Sequence, residues 1–245
     1  MRRFFLEVPC DVGETVTLAD GESRHISQVL RLGPGSKVEL LDGSGLVYSA
    51  SLLTVGRQVQ ATITAVRSER ETGEVRLLVG QGLLKGQKMD VVVQKCTELG
   101  VTHLLPFWSS RCQGKLDDEQ HAKKLLRYRR VVESACKQCC RPDLMAVDVP
   151  RSFRTVLEDF PAAAGRLRLL FWEEERSLSL HEVTVPLDLR EAVILLGPEG
   201  GLSTEEVARA QEAGWVTVSL GRRILRAETA TLAAVSLLQF LTGNI

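Results

Sequence analysis

The spacing of apolar residues changes about seventy residues into the chain. Before that point, short runs in which apolar and polar residues alternate occupy residues 4–8, 15–18, 37–41, 46–53 and 58–66. Such alternation is typical of strands with one buried face. Residues 23–32 have helical spacing instead, which places Ile26, Val29 and Leu30 on one face. The pattern predicts a small β domain over residues 1–70.

A charged stretch at residues 68–73 precedes a region in which strand and helix patterns alternate. Predicted strands cover residues 75–83, 101–107, 144–149, 167–171, 192–196 and 215–220. Predicted helices cover residues 89–99, 119–140, a short segment after Ser152, a segment from Ser203 to Gly214, and residues 227–241. The alternation predicts an α/β domain over residues 74–245, with a mainly parallel sheet covered by helices on both faces.

Two glycine-containing loops follow two of the predicted strands, which we expect to be adjacent in the sheet. GPEGG (197–201) precedes STEE (203–206), a capping box that opens a helix, and GRRILR (221–226) precedes the last helix. Ligands of open α/β sheets bind beyond the carboxyl ends of strands, where glycine lets backbone groups approach. GPEGG lacks the Lys-Ser/Thr of a P-loop, and no G-x-G-x-x-G follows a strand. A nucleoside without phosphates therefore fits better than a nucleotide.

Segments along the whole chain resemble one family. LLGPEGGLS and LGRRILRAETA are similar to the carboxy-terminal region of the SPOUT superfamily of RNA methyltransferases. With MRRFFLE, HISQVLRLGPGSKVELLDGSG and KGQKMDVVVQKCTELGV, they resemble the RsmE family, which methylates N3 of a uridine in 16S ribosomal RNA of the small ribosomal subunit. The resemblance implies a SPOUT-type mainly parallel sheet with a C-terminal trefoil knot, preceded by a PUA-like β-barrel that binds RNA.

The resemblance and the two loops together imply a pocket for S-adenosylmethionine. Its expected residues are Leu196, Gly197, Gly201, Leu220, Gly221, Ile224, Leu225 and Arg226. Methylation of N3 needs the deprotonated imide, so a cation should stabilise the negative charge on N3 and O4. Arg226 or Arg2 is the catalytic candidate, and the roles of Glu98 and Glu199 stay open.

Balanced charge, with 31 basic and 31 acidic residues, argues against RNA binding through a global field. Local cations should supply the phosphate contacts instead. The candidates are Arg2, Arg3, His25, Arg31, Lys85, Lys88, Arg127, Arg130 and Arg141. Arg127, Arg130 and Arg141 recur at helical spacing with Lys123 and Lys137. These five cations form one stripe along predicted helix 119–140 and the residue that follows it. The alternative interpretations are a solvated charged face for the helix stripe, a solvated turn for residues 85–88, and a structural role for His25.

The remaining expectations concern metals, location and assembly. The cysteines at 136, 139 and 140 have no second pair at zinc-site spacing, so we expect no metal, and we expect reduced thiols. No apolar run approaches the roughly 18 residues of a membrane span, and no signal-peptide pattern opens the chain, which indicates a cytoplasmic protein. The last helix is apolar on nearly all sides, which predicts the homodimer that the resemblance also implies; a deep monomer core is the alternative.

The sequence-based hypothesis is S-adenosylmethionine-dependent methylation of N3 of a uridine in 16S ribosomal RNA. Two alternatives stay open: a SPOUT methyltransferase that modifies a ribose 2′-OH or guanine N1, and a non-catalytic RNA-binding assembly factor. Which uridine is methylated, and whether the substrate is free RNA or an assembled subunit, also stay open.

Overall fold

The computed structural model describes residues 1–69, 74–112 and 118–245. The chain forms two units, each built from two segments. The first comprises Met1–Thr72 and Glu133–Leu144, and the second comprises Gly73–Val132 and Met145–Ile245. The boundary expected between residues 70 and 74 falls at residues 70–73, outside the described part of the chain.

A five-stranded sheet forms the first unit, in the order β1-β3-β4-β5-β2. Its strands are β1 (Arg2–Phe5), β2 (Thr15–Thr17), β3 (Lys37–Leu41), β4 (Leu46–Thr54) and β5 (Gln60–Ser68). β1 pairs with β3 in parallel, and the other pairs are antiparallel. Alternate side chains of these strands, such as Val38, Leu40 and Tyr48, form one buried core. The predicted small β domain is confirmed, although β1 begins two residues earlier than expected.

The predicted helical face at residues 23–32 is wrong in one respect. The helix begins at Asp20 (α1, Asp20–Arg24) and continues as a π-helical turn over His25–Val29, in which the Leu30 N–H donates to the His25 carbonyl at 2.9 Å. Ile26 is fully buried, but Val29 is 68% exposed. The prediction assumed 3.6 residues per turn, whereas an i→i+5 turn is wider and rotates Val29 out of the core.

The second segment of the first unit is attached to the first segment by polar and apolar contacts. Lys137 Nζ pairs with the Glu22 carboxylate and lies 5.3 Å from the centre of the Phe5 ring. The Leu144 N–H donates to the Gly43 carbonyl at 3.0 Å, and the side chain of Leu144 covers the α-carbon of Gly43. Residues 133–144 are therefore an integral part of this unit.

Parallel strands form the sheet of the second unit, in the order β12-β10-β11-β6-β7-β8, with β9 also paired to β7. The strands are β6 (Arg76–Gly82), β7 (His103–Trp108), β8 (Ala146–Val147), β9 (Arg151–Ser152), β10 (Arg166–Phe171), β11 (Glu191–Leu196) and β12 (Val216–Val218). The helices are α2 (Lys88–Glu98), α3 (Asp118–Cys139), α4 (Phe153–Asp159), α5 (Thr204–Glu212) and α6 (Ala227–Leu241), with a 3₁₀ turn at Leu180–Glu182. The predicted mainly parallel α/β sheet is confirmed, and the trefoil knot stays a prediction.

Helices cover both faces of this sheet. Val193 and Leu195 of β11 pack with the buried side chains of α4 and α5. Side chains alternate along a strand, so Ala192, Ile194 and Leu196 face the opposite side. On that side α6 contacts both β11 and α2. None of the described helices is both long and apolar enough to cross a membrane.

The start and end of α5 confirm the sequence signals. The Ser203 hydroxyl accepts from the Glu206 N–H at 3.3 Å, and the Glu206 carboxylate accepts from the Ser203 N–H at 2.9 Å. Gly214 follows the helix with a φ of 79°, which favours glycine. These two signals bound α5, and residues 197–203 connect the end of β11 to its start.

Candidate functional site

A cavity of about 630 Å³ opens at the carboxyl ends of β10, β11 and β12, three neighbouring strands of the second unit. Its walls are the segment 171–173, the loop 196–201 and the loop 219–227, together with Lys88 and Ala230. The volume falls within the range of small-molecule and cofactor sites.

All eight residues expected to bind the cofactor line this cavity. One premise of that expectation is wrong, because the two glycine loops do not follow adjacent strands. β10 lies between β11 and β12, so Phe171, Trp172 and Glu173 supply a third wall. The sequence analysis missed this wall because no glycine loop follows β10; the charged run EEE after a buried strand was the available signal.

The loop after β11 is closely packed at two of its glycines. A Cβ at Gly197 would lie 3.1 Å from the carbonyl carbon of Gly201. Gly201 has a φ of 69°, and a Cβ there would overlap the Glu173 carboxylate. The loop therefore folds back on itself and lies against Glu173, and the positive φ of Gly201 favours glycine at that position.

Gln81 supports the same loop from within the sheet. It is fully buried in β6, where its Nε2 donates to the Gly197 carbonyl at 3.2 Å and to the Gly82 carbonyl at 3.0 Å. Its Oε1 accepts a hydrogen bond from the hydroxyl of Thr231 in α6. One side chain thus links β6, the cavity loop and α6, a role that the sequence analysis missed.

Glu199 fixes the outer side of the loop. Its Oε1 accepts from the Lys85 N–H at 3.1 Å and from Lys88 Nζ at 3.1 Å. Burial acts to raise the pKa of Glu199, but the hydrogen bonds from Lys85 and Lys88 outweigh it, so the pKa lies below its ordinary value. Lys88 Nζ also lies 3.9 Å from Glu228. The structure gives Glu199 a local role in holding the loop.

A second loop braces the cavity loop from the end of β7. The Ser110 N–H and hydroxyl donate to the Glu206 carboxylate at 2.7 and 3.0 Å. Arg111 Nη1 donates to the Gly200 carbonyl at 3.2 Å. Residues on both sides of the loop therefore limit its movement.

The cavity carries an excess of positive charge. Its cationic lining residues are Lys88, Arg222, Arg223 and Arg226, and its carboxylates are Glu173 and Glu199. Lys88 is paired with Glu199. Within the described residues the three arginines have no ion-pair partner, and all three are exposed. Arg226 also occupies the N-cap position of α6.

The RNA-binding candidates of the first unit differ in how free their side chains are. Arg2 is exposed on β1. Arg3 binds Glu39 at 2.9 Å, Glu69 at 3.3 Å and the carbonyl of Cys140. His25 is exposed and meets the Phe4 ring edge-on, and Arg31 is exposed with a φ of 51°. Arg3 therefore has structural partners, whereas Arg2, His25 and Arg31 are accessible to a ligand.

The basic stripe of α3 and the residues after it also divide into paired and unpaired cations. Arg127 pairs with Asp90, and Arg141 pairs with Asp143 at 2.8 Å. Arg130 is exposed and has no ion-pair partner among the described residues. On the opposite side of the helix, Tyr128, Val132, Ala135 and Cys136 are buried. Phosphate contact by these cations stays a prediction.

Two smaller questions concern Glu98 and the cysteines. Glu98 pairs with Lys95 of its own helix at 2.7 Å, a local ion pair. Within the described residues none of the six cysteines forms a disulfide, and the buried Cys136 thiol donates to the Asp143 carbonyl at 3.4 Å. Within the described residues, no three His, Cys, Asp or Glu side chains are grouped closely enough to hold a metal ion.

Comparison with known proteins bears on both units. Residues 71–239 match the family described as RNA methyltransferase domain, and residues 18–64 match the RNA methyltransferase PUA domain. The PUA-like domain expected from the sequence is thereby confirmed.

Relatives are similar over nearly their full length. A ribosomal RNA small subunit methyltransferase E of Bacillus subtilis is 30% identical over 249 residues, covering 99% of this chain and 97% of the relative. The crystal structure of a ribosomal RNA small subunit methyltransferase E from Neisseria gonorrhoeae, bound to S-adenosyl methionine, is 34% identical with a TM-score of 0.89, and 98% of each chain is covered. A putative methyltransferase of Legionella pneumophila in complex with the same cofactor is 30% identical with a TM-score of 0.88, covering 98% of this chain and 97% of the other.

Proposed function

Because this chain belongs to the ribosomal RNA small subunit methyltransferase E family, we propose that it transfers a methyl group from S-adenosylmethionine to N3 of a uridine in 16S ribosomal RNA. The observation that carries the proposal is the cavity at the ends of β10, β11 and β12, which all eight expected cofactor residues line. Two relatives with this fold have been crystallised with that cofactor.

The residues of the cavity fit a nucleoside-type ligand. Leu196, Leu220 and Leu225 supply apolar surface, and the backbone of the glycine loop is accessible. Ile224 lies at the cavity with 81% of its surface exposed. Covering such a side chain stabilises a complex by about 1.5–3 kcal/mol, and a flat adenine ring has the surface to do so.

The chemistry requires few protein groups. S-adenosylmethionine supplies an activated methyl group when bound. The chain must hold the uracil in line with that methyl group and favour loss of the N3 proton. Arg226 lies at the start of α6, where the positive end of the helix dipole adds to its own charge. We propose that Arg226 stabilises the negative N3/O4 system; Arg2 is the second candidate from the sequence.

Each unit has its own proposed part in binding or modifying RNA. Residues 1–70 are proposed to bind RNA as a PUA-like domain, and residues 74–245 to form a SPOUT catalytic domain with a C-terminal trefoil knot. Phosphate contacts are proposed for the accessible cations, above all Arg2, Arg31 and Arg130. The paired cations Arg3 and Arg127 should contribute less, because an existing carboxylate partner already neutralises each of them.

We propose that the protein is a homodimer that acts on the small ribosomal subunit or its RNA. On α6, Leu237, Phe240 and Leu241 are 46%, 70% and 39% exposed, although the opposite face of the helix is buried. A row of exposed apolar side chains on one helix is typical of an interface. A second copy of this chain is the proposed cover.

Methyl transfer from isotopically labelled S-adenosylmethionine to 16S ribosomal RNA tests the function. RNA from a strain that lacks the gene should accept label, and mass spectrometry of its nucleosides should identify 3-methyluridine. A 2′-O-methylated nucleoside or 1-methylguanosine would assign one of the other SPOUT reactions. RNA binding without methyl transfer would support an assembly factor instead.

A further inference from the structure

Glu173 places a carboxylate inside the cofactor cavity. It is the second residue after β10, and it faces Gly201 so closely that a Cβ on that glycine would overlap its Oε1. Arg176 binds Glu173 only at its backbone carbonyl, at 2.7 Å. Within the described part of the chain, the Glu173 carboxylate has neither a hydrogen-bond donor nor an ion-pair partner. The side chain is therefore available to a ligand.

The Glu173 carboxylate differs from the other charged groups of the cavity because, among the described residues, it is an unpaired anion beside mostly positive side chains. Of the two lining carboxylates, Glu199 is already bound to Lys88 and to the Lys85 N–H. Three arginines remain without an acidic partner among the described residues. A cationic ligand that enters the cavity thus meets net positive charge, and Glu173 is the lining carboxylate that remains to oppose that repulsion.

S-adenosylmethionine and the product of methyl transfer differ in charge at a single atom. The cofactor carries a positive sulfonium, whereas S-adenosylhomocysteine has a neutral thioether; their adenosine, amino and carboxyl groups are identical. Contacts to the shared groups, such as the apolar walls, cannot distinguish the two molecules. A charge near the sulfur can, because only one of the two ligands responds to it.

We infer that the Glu173 carboxylate selects the sulfonium cofactor over its neutral product. This rests on the proposed function, since it takes S-adenosylmethionine as the ligand of the cavity. Opposite charges attract more strongly near a protein surface than in water, because the effective dielectric constant is lower there. We expect this attraction to give about a tenfold difference in affinity between the two ligands. Glu173 is thus a specificity-determining residue that raises the affinity for substrate cofactor and leaves the product free to exchange.

Titration calorimetry with both ligands tests this inference. Glu173→Gln keeps the shape and one acceptor oxygen of the side chain, replaces the other oxygen by an NH2 donor and removes the charge. The variant should bind S-adenosylmethionine about tenfold more weakly, while its affinity for S-adenosylhomocysteine changes less than about twofold. Glu174→Gln is the matched control, because Glu174 is also exposed but does not line the cavity. It should leave both affinities unchanged.

Each contrary result has a distinct meaning. Equal weakening of both ligands would place Glu173 at a shared group, such as the amino group, and overturn the inference. Unchanged affinity for both ligands would overturn it as well. If the wild-type protein bound neither ligand, the proposed function would fail rather than this inference alone. Thermal melting of the ligand-free variants should match the wild type, since the side chain is exposed.

Discussion

Replacing Gln81 by leucine should weaken both the fold and the cofactor cavity. The side chain is fully buried and makes hydrogen bonds to the carbonyls of Gly197 and Gly82 and to the Thr231 hydroxyl. Each such bond contributes about 1 kcal/mol net, and a buried group left without its partner costs about 1–3 kcal/mol. Leucine has a similar size, so the loss should be mainly polar. We expect the free energy of unfolding to fall by about 3 kcal/mol.

Urea denaturation measures that fall, and titration calorimetry measures the accompanying loss of S-adenosylmethionine affinity. Thr231→Val removes the shared hydrogen bond from the other side and should cost about 1–2 kcal/mol. The double variant should cost less than the sum of the two single changes, because both remove the same bond. A fall of less than about 1 kcal/mol for Gln81→Leu would refute the reasoning that Gln81 supports the loop. Strict additivity would refute the shared hydrogen bond between Gln81 and Thr231.

Three further outcomes follow from the structure. Arg130→Ala should flatten the slope of log affinity for ribosomal RNA against log salt by about 0.7–0.9. Arg127→Ala should change the slope less, because Asp90 already neutralises Arg127. Equal slopes for the two variants in filter binding would contradict this. Phe240→Glu should convert a dimer into a folded monomer in sedimentation experiments, because the side chain is 70% exposed; a monomeric wild type would rule out the proposed dimer. Burial acts to raise the pKa of Glu39, but hydrogen bonds from Arg67 and Arg3 outweigh it, so the pKa of Glu39 is lowered on folding. The stability that results is present above the unfolded pKa of about 4.3 and is lost as pH falls through the folded pKa. The difference in free energy of unfolding between wild type and Glu39→Gln should therefore shrink in acid.

Local pattern was sufficient to predict most elements of the fold. Alternation identified the strands of the first unit, and the capping box at Ser203 and Gly214 bounded α5 as expected. The π-helical turn was not predictable, because a helix period of 3.6 residues was assumed and Val29 was assigned to the wrong side. The error is confined to one turn. Residue propensity and hydrophobic period therefore predict that a helix forms, but they do not predict an irregular turn within it.

The cavity was predicted in part because glycine leaves a signal in sequence. Its two glycine loops were recognisable, but the order of the strands depends on pairing between distant residues. β10 therefore could not be placed between β11 and β12, and Glu173 was not assigned to the wall. Gln81 was missed for the same reason, since a glutamine in an apolar strand becomes interpretable only when Gly197 and Thr231 are brought beside it.

The attachment of residues 133–144 to the first unit limits how this β-sheet unit could be grafted onto another enzyme. A transplant that ended at Thr72 would leave behind Lys137, the partner of Glu22, and Leu144, which covers Gly43. The donor fragment would carry an uncompensated carboxylate and an uncovered turn. A successful cassette has to contain both pieces of chain, joined by a new linker in place of the intervening sixty residues of the second unit. Recombination that exchanges a single contiguous stretch cannot move this unit intact.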